Sequence, residues 1–156
     1  MVGPALAESG SLRLLIHTDG AARGNPGPAG AGAILRDAGS GEVVAEIAEG
    51  LGRATNNVAE WTAVRLALEE ARRLRATRVD LRMDSQLVAR QITGIYRVKH
   101  PDLQPIHRAV MELLRGFEAY TVGHVPRELN KDADRLSNVA IDGPATTPSD
   151  ADLGGW

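Results

Sequence analysis

Three apolar stretches near the start of the chain are separated by turn-forming residues, a pattern typical of short β-strands. They cover residues 12–17, 29–36 and 42–50, and the turn chemistry of residues 37–41 predicts a hairpin between the second and third stretches. Glycines in the second stretch predict close approach by another backbone. We therefore predict three strands in an antiparallel meander.

The apolar positions then recur at helical spacing. Trp61, Val64, Leu68 and Ala71 fall on one stripe, which predicts a helix from about residue 57 to residue 74. The following segments predict a strand at 79–83, a short helix at 85–92, a linker over 93–101, a helix at 103–115, a strand at 120–125 and a helix at 130–141.

A strand that follows the meander through a helix is expected to lie parallel to the first strand, because such crossovers are right-handed. The predicted fold is therefore α/β, with a five-stranded mixed sheet of three antiparallel strands and then parallel strands, flanked by helices. Residues 12–142 would form one domain. Residues 1–11 and 143–156 are small and polar, which predicts a flexible N-terminal arm and a flexible C-terminal tail.

Composition narrows the classes of protein. The chain has no cysteine, which excludes disulfides, thiolate zinc sites and cysteine nucleophiles and is typical of the cytoplasm. No stretch reaches the roughly 18 apolar residues of a membrane span, and the start lacks the pattern of a secretory signal. A net charge of −2 is unusual for a nucleic-acid-binding protein, although carboxylates at a metal site lower the charge of the metal-free chain. We expect a monomer without membrane or protein partners.

Four acidic residues stand where predicted elements begin or end. Asp19 follows the first strand and Asp84 follows the fourth, so adjacent parallel strands would bring both carboxylates to one edge of the sheet. Glu60 lies near the start of the long helix and Asp134 near the start of the last helix. Converging carboxylates repel one another unless cations are present, and Mg²⁺ is the natural partner of oxygen ligands.

Each acid also has a purely structural interpretation. Spacing alone does not select four of the twenty acidic residues. The structural alternatives are a turn for Asp19, a capping box with Asn57 for Glu60, a helix cap for Asp84, and favourable helix dipoles for Asp132 and Asp134.

The segments around these acids resemble, in order, the four motifs of type 1 ribonucleases H. They read TDGAARGNPGP at 18–28, TNNVAE at 55–60, MDSQLV at 83–88, and GH at 123–124 followed by NKDADRL at 130–136. One such motif is weak support, whereas four in the family's order, spanning about residues 12–141, are specific. Residues 92–105 are short and barely basic, which resembles the form of the family that lacks a basic protrusion.

The resemblance implies an endoribonuclease that hydrolyses the RNA strand of RNA–DNA hybrids by a two-metal-ion mechanism, leaving 5′-phosphate and 3′-hydroxyl ends. It implies that Asp19, Glu60, Asp84 and Asp134 are catalytic and hold two Mg²⁺ ions, with Mn²⁺ as a substitute. It also implies that His124, in a mobile loop, assists proton transfer or product departure. A lone histidine is more often a surface or packed side chain, and this is our interpretation of the other three, His17, His100 and His107.

The resemblance further implies contacts with the hybrid. Asn25, Asn56 and Gln86 match positions that touch its minor groove, a task that suits amides. Thr55 and Asn57 match a pocket for a DNA phosphate at a helix N-terminus, with helix capping as the alternative. Tyr96 is the one aromatic candidate for the DNA channel, and a core position explains it equally well.

Two rival functions stay open at this point. Another nuclease of the same fold, such as a junction resolvase or a transposase core, would share the carboxylates. A non-enzymatic hybrid-binding module would not need all four of them. The resemblance also allows residues 143–156 to be a linker to a second domain, such as the phosphatase domain fused to some relatives.

Overall fold

The computed structural model describes residues 11–143. The predicted arm and tail therefore lie almost entirely outside the described residues. The strands are β1 (Arg13–Ala22), β2 (Gly27–Asp37), β3 (Val43–Ala54), β4 (Arg78–Met83) and β5 (Ala119–His124), and the helices are α1 (Asn56–Arg73), α2 (Gln86–Ile92), α3 (Gln104–Arg115) and α4 (Lys131–Asp142), with a 3₁₀ turn at Arg127–Leu129.

The five strands form one sheet in the order β3-β2-β1-β4-β5. β1 pairs antiparallel with β2, which pairs antiparallel with β3, and β4 pairs parallel with both β1 and β5. The predicted mixed sheet is confirmed, including the parallel placement of the fourth strand beside the first. Within residues 11–143, no helix is both long and apolar enough to cross a membrane.

The main core lies between the sheet and α1. The predicted stripe of Trp61, Val64, Leu68 and Ala71 is buried, as expected for an amphipathic helix. Burial of Val64 or Leu68 contributes roughly 1.5–3 kcal/mol each through the hydrophobic effect. The Trp61 indole Nε1–H donates to Gln91 Oε1 at 3.1 Å, so the polar atom of this buried ring is also satisfied.

Glycines in β1 and β2 let two helices approach the sheet at main-chain distance. A Cβ atom on Gly20 would lie 2.2 Å from the carbonyl carbon of Ala59 in α1. A Cβ on Gly32 would lie 2.4 Å from the carbonyl oxygen of Ala133 in α4. The predicted close approach at the second strand is confirmed, and β1 shows the same feature. Only glycine permits these contacts, which fix α1 and α4 against the sheet.

Strand β1 is longer than the sequence predicts. Residues 18–22 continue to pair with β2, from Thr18 opposite Ala33 to Ala22 opposite Ala29. Main-chain hydrogen bonds to a neighbouring strand therefore override the turn-like composition of this segment. The interpretation of Asp19 as a turn residue is wrong.

The two helix caps agree with the capping alternative for Thr55 and differ from those for Asn57 and Asp84. Thr55, and not Asn57, caps α1, and its Oγ1 accepts from the N–H of Val58 at 3.2 Å. Ser85, and not Asp84, caps α2. The capping explanations for Glu60 and Asp84 are therefore wrong, and these two carboxylates are free for another role.

Candidate active site

Asp19 and Asp84 are neighbours because of the strand register. The last parallel pair joins Thr18 of β1 to Met83 of β4, so each aspartate is the next residue beyond that pair. The two carboxylates lie where the parallel pairing of β1 and β4 ends, at the edge where open α/β sheets form their sites. Asp19 is buried, with a relative exposure of 9%.

Glu60 and Asp134 come to this edge from the two helices seated on glycines. Glu60 lies in the second turn of α1, and carboxylate oxygens of Asp19, Glu60 and Asp84 all lie within 4.8 Å of one another. Asp134, in the first turn of α4, lines the same cavity of about 610 Å³. Its neighbour Asp132 instead pairs with Arg36 at 2.8 Å. The geometry thus brings the four predicted acids to one cavity and leaves Asp132 outside it.

The crowding of these acids changes their protonation. Burial, the nearby Asp84 carboxylate and a hydrogen bond with Asp134 raise the pKa of Asp19 to about 8. Burial raises the pKa of Glu60 to about 7, and the Asp84 charge adds to this while a hydrogen bond with Ser85 opposes it. A set of oxygen ligands that holds protons near neutral pH suits a hard divalent cation, which would replace those protons.

We predict that Mg²⁺ binding releases protons at pH 7 and none at pH 9. The folded, metal-free chain keeps protons on Asp19 and Glu60 up to about pH 8 and 7, whereas ordinary values are 3.8 and 4.5. Because the folded chain then holds more protons than the unfolded chain, the free energy of unfolding of the metal-free protein falls as the pH rises through this range. Calorimetric Mg²⁺ titrations in two buffers of different ionisation enthalpy measure the released protons. Equal heats in both buffers at pH 7 would contradict the prediction.

The predicted hybrid-binding residues lie on the wall of the same cavity, with one exception. Asn25, Thr55, Asn56 and Asn57 line it beside the carboxylates. Gln86 is exposed at the first residue of α2 and is not among the lining residues.

Internal hydrogen bonds fix the orientation of two of these asparagines. Asn25 Oδ1 accepts from the Asn56 N–H at 3.0 Å, and Asn56 Oδ1 accepts from the Ala22 N–H at 2.9 Å. Because each amide oxygen is already used, each side chain offers its NH₂ group as a donor. This network also joins the end of β1, the following turn and the start of α1.

The histidines differ in part from expectation. His124 is the last residue of β5, paired with Met83, so the prediction that it lies in a loop is wrong; strand pairing with β4 orders it. It is exposed and is not among the residues that line the cavity. His100, interpreted as a surface or packed side chain, does line the cavity, and its Nδ1 accepts from the Asp102 N–H at 3.1 Å. His107 packs edge-on against Trp61, as predicted for a packed side chain.

Tyr96 is not a core residue. Its side chain is 44% exposed, and its hydroxyl accepts from Arg90 Nη1 at 3.1 Å. The Arg90 guanidinium lies 5.7 Å from the centre of the Tyr96 ring. The core alternative is therefore wrong, while the role in a DNA channel stays a prediction.

Four cavity residues lie outside both the predicted site residues and the four family motifs. They come from irregular segments, namely the connection over 93–103 and the 3₁₀ turn after β5, whose paths no hydrophobic period specifies. Gln91 helps to set the first path, since its Nε2 donates to the Arg97 carbonyl at 3.3 Å. The four residues are His100, Asp102, Leu103 and Arg127.

The strand order, the glycine-seated helices and the acidic cavity together define the ribonuclease H-like class of proteins. A family model described as "Reverse transcriptase-like" matches residues 17–140. The crystal structure of RNase H1 from the halophilic archaeon Halobacterium salinarum is 45% identical, with a TM-score of 0.81, over 85% of this chain and 99% of that chain. The N-terminal RNase H domain of a Mycobacterium tuberculosis protein is 44% identical, with a TM-score of 0.82, over 84% of this chain and all of that chain. The chain belongs to the ribonuclease H family.

A third similar structure was solved with a nucleic acid. LC11-RNase H1 in complex with an RNA/DNA hybrid is 40% identical, with a TM-score of 0.78, over 83% of this chain and 96% of that chain. Some full-length relatives are longer. The chain spans 39% of the bifunctional Mycobacterium tuberculosis protein and 65% of the Halobacterium salinarum ribonuclease HI sequence.

Proposed function

We propose that the chain is an endoribonuclease that hydrolyses the RNA strand of RNA–DNA hybrids and leaves 5′-phosphate and 3′-hydroxyl ends. The observation that carries this proposal is the approach of Asp19, Glu60 and Asp84 to within 4.8 Å, in a cavity that Asp134 also lines. Family membership and the hybrid complex of LC11-RNase H1 support the choice of substrate.

The four carboxylates are the residues that would hold two Mg²⁺ ions, or Mn²⁺ in their place. When bound, such a pair activates a water nucleophile and stabilises the leaving oxygen of a phosphodiester. Asp19 is the buried member of the three clustered carboxylates and would be one of the residues that hold the ions. Glu60 lies on α1, and one of its carboxylate oxygens could also accept a hydrogen bond from an RNA 2′-hydroxyl.

The cavity wall beside these acids would bind the hybrid through hydrogen-bond donors. Because the oxygens of Asn25 and Asn56 are engaged within the protein, their NH₂ groups would face acceptors such as a 2′-oxygen or a minor-groove base edge. Thr55 and Asn57 stand at the N-terminus of α1, where the positive end of the helix dipole favours a phosphate. Gln86, exposed on α2, would extend this contact beyond the cavity.

A cleavage assay tests the proposal directly. The full chain is incubated with Mg²⁺, Mn²⁺ or Ca²⁺ and with hybrid, duplex DNA or duplex RNA of one sequence, and product ends are analysed. We expect RNA-strand cleavage of the hybrid with Mg²⁺ or Mn²⁺. Cleavage of duplex DNA alone would instead support a resolvase or transposase activity, and binding of hybrid without cleavage would support a non-enzymatic module.

His124→Ala should slow turnover without abolishing it. His124 is exposed at the end of β5 and outside the residues that line the cavity, so a role in proton transfer or product departure would act from the rim. General acid–base assistance is worth roughly 10²–10⁴-fold, and we expect the lower end. Steady-state and single-turnover rates on one hybrid measure the effect. Complete inactivity would place His124 among the essential ligands and contradict this role.

Three further expectations stay predictions. They are a cytoplasmic location, a monomeric state without protein partners, and membership in the form of the family that lacks a basic protrusion. Light scattering of the purified chain tests the second of these.

A further inference from the structure

A short segment, residues 125–130, crosses from the end of β5 to the start of α4 beside the acidic cavity; we call it the strap. It is anchored at both ends. The Val125 N–H donates to the Met83 carbonyl at 2.9 Å, and Asn130 Nδ2 donates to the Thr18 carbonyl at 2.9 Å. Both acceptors immediately precede metal-site candidates, Asp84 and Asp19. The strap is therefore tied to the same strand ends as the carboxylates.

Between its anchors, the strap closes one turn. The N–H groups of Leu129 and Asn130 donate to the carbonyls of Pro126 and Arg127, each at 2.9 Å. Asn130 is almost fully buried, with 1% relative exposure, whereas Arg127 is exposed. An exposed arginine on an anchored turn loses little conformational freedom of its backbone when it binds a ligand.

Arg127 is the single arginine or lysine among the described residues that line the acidic cavity. Across residues 11–143, it belongs to none of the ion pairs within 4.0 Å. Its guanidinium is thus available to an external anion. Its position beside four acids that would hold cations makes the anionic backbone of the substrate the natural partner.

We propose that Arg127 binds a phosphate of the RNA strand next to the scissile phosphate. This inference rests on the proposed function, which puts the scissile phosphate at the carboxylates. The neighbouring phosphate of the same strand then lies nearest along the backbone, while the DNA strand lies across a groove. A guanidinium fork matches two phosphate oxygens, which gives both charge and direction to the contact.

The first experiment compares Arg127→Ala and Arg127→Lys with the control Arg72→Ala. Arg72 is also exposed and in no ion pair within the described chain, but it lies in the last turn of α1, about 24 Å along the helix from the end that lines the cavity. For Arg127→Ala, we expect KM for hybrid to rise about tenfold, the scale of a lost charge-assisted contact, with kcat changed by less than about threefold. Arg127→Lys should recover part of the loss, and Arg72→Ala should behave as wild type.

Binding isotherms with Ca²⁺ in place of Mg²⁺ give a second readout. One lost phosphate contact should reduce the slope of log affinity against log salt by about 0.9. The proposal would be overturned if Arg127→Ala left both KM and the salt slope unchanged. It would also be overturned if the variant changed only the Mg²⁺ concentration needed for activity, because Arg127 would then act on the acids and not on the substrate.

The third experiment identifies the phosphate. A series of hybrids is prepared, each with one modified RNA position. That position is a 2′-O-methyl nucleotide with an uncharged methylphosphonate, and the matched control has the same nucleotide with an ordinary phosphate. Wild type should lose about tenfold in affinity at one position beside the scissile phosphate, and Arg127→Ala should lose nothing further there. Additive losses at every RNA position would overturn the proposal. If the wild-type chain binds hybrid but does not cut it, only the proposed function fails, because the Ca²⁺ isotherms still show what Arg127 contacts.

Discussion

Asp19→Asn should abolish hybrid cleavage, by at least about 10³-fold, while leaving the fold intact. Asp19 is the buried member of the three clustered carboxylates, so the loss of one charge there weakens the binding of both proposed ions. Asparagine keeps the shape of the side chain. Because burial and repulsion raise the pKa of Asp19 to about 8, the substitution also removes an unfavourable buried charge above that pH. The metal-free variant should therefore melt at a higher temperature than wild type at pH 9.

Asp132→Asn is the matched control for this experiment. Asp132 lies on α4, two residues before the cavity residue Asp134. Its carboxylate pairs with Arg36 and lies outside the acidic cavity. We expect wild-type cleavage from this variant. Mg²⁺-dependent activity in Asp19→Asn equal to that of the control would defeat the assignment of the carboxylate site.

Gly20→Ala should also cause a large loss of activity, by a different route. The new methyl group would fall 2.2 Å from Ala59 C and 2.3 Å from Glu60 N, so α1 must move away from β1. Overpacking of this kind costs about 1–3 kcal/mol of stability. A displacement of about 1 Å at a catalytic group can cost about 10²-fold in rate, and Glu60 itself would be displaced.

Gly123→Ala provides the control, because Gly123 also lies in a strand and a Cβ atom there meets nothing within 4 Å. Melting temperatures and initial cleavage rates of the two variants give the comparison. If both variants cut hybrid at the wild-type rate, the close packing of α1 against Gly20 would not be needed for activity.

The parts of the fold that were predictable from sequence are those that a repeating pattern specifies, whereas the acids and the hybrid-binding residues of the site were selected by resemblance to the four family motifs. The buried stripe from Trp61 to Ala71 and the alternation of strands and turns indicated the elements and, with the crossover rule, the parallel placement of the fourth strand beside the first. The convergence of Asp19 and Asp84 followed from the same reasoning. These features depend on periods of two or 3.6 residues, which single sequences display directly.

The parts that could not be predicted depend on contacts between distant segments. Nothing in the sequence near His100 shows that the connection over 93–103 brings it to the cavity wall. The extension of β1 through Asp19 depends on pairing with β2, and the identity of the α1 cap depends on whether Thr55 or Asn57 precedes the first helical residue. The extension of β1 is decided by hydrogen bonds to a distant strand, for which the local composition carries no signal, whereas the cap is decided by the residue at which α1 begins.

The seating of α1 and α4 on glycines has a consequence for how this protein can diverge in sequence. Because main-chain atoms set the heights of both helices above the sheet, the spacing of Glu60 and Asp134 does not depend on which aliphatic side chains fill the core. Leucine, isoleucine and valine can exchange there at modest cost, provided that volume is kept. Inheritance of a few glycines thus preserves the geometry of the acids while much of the remaining sequence drifts, which is consistent with a TM-score of 0.81 to a relative that shares 45% of its residues.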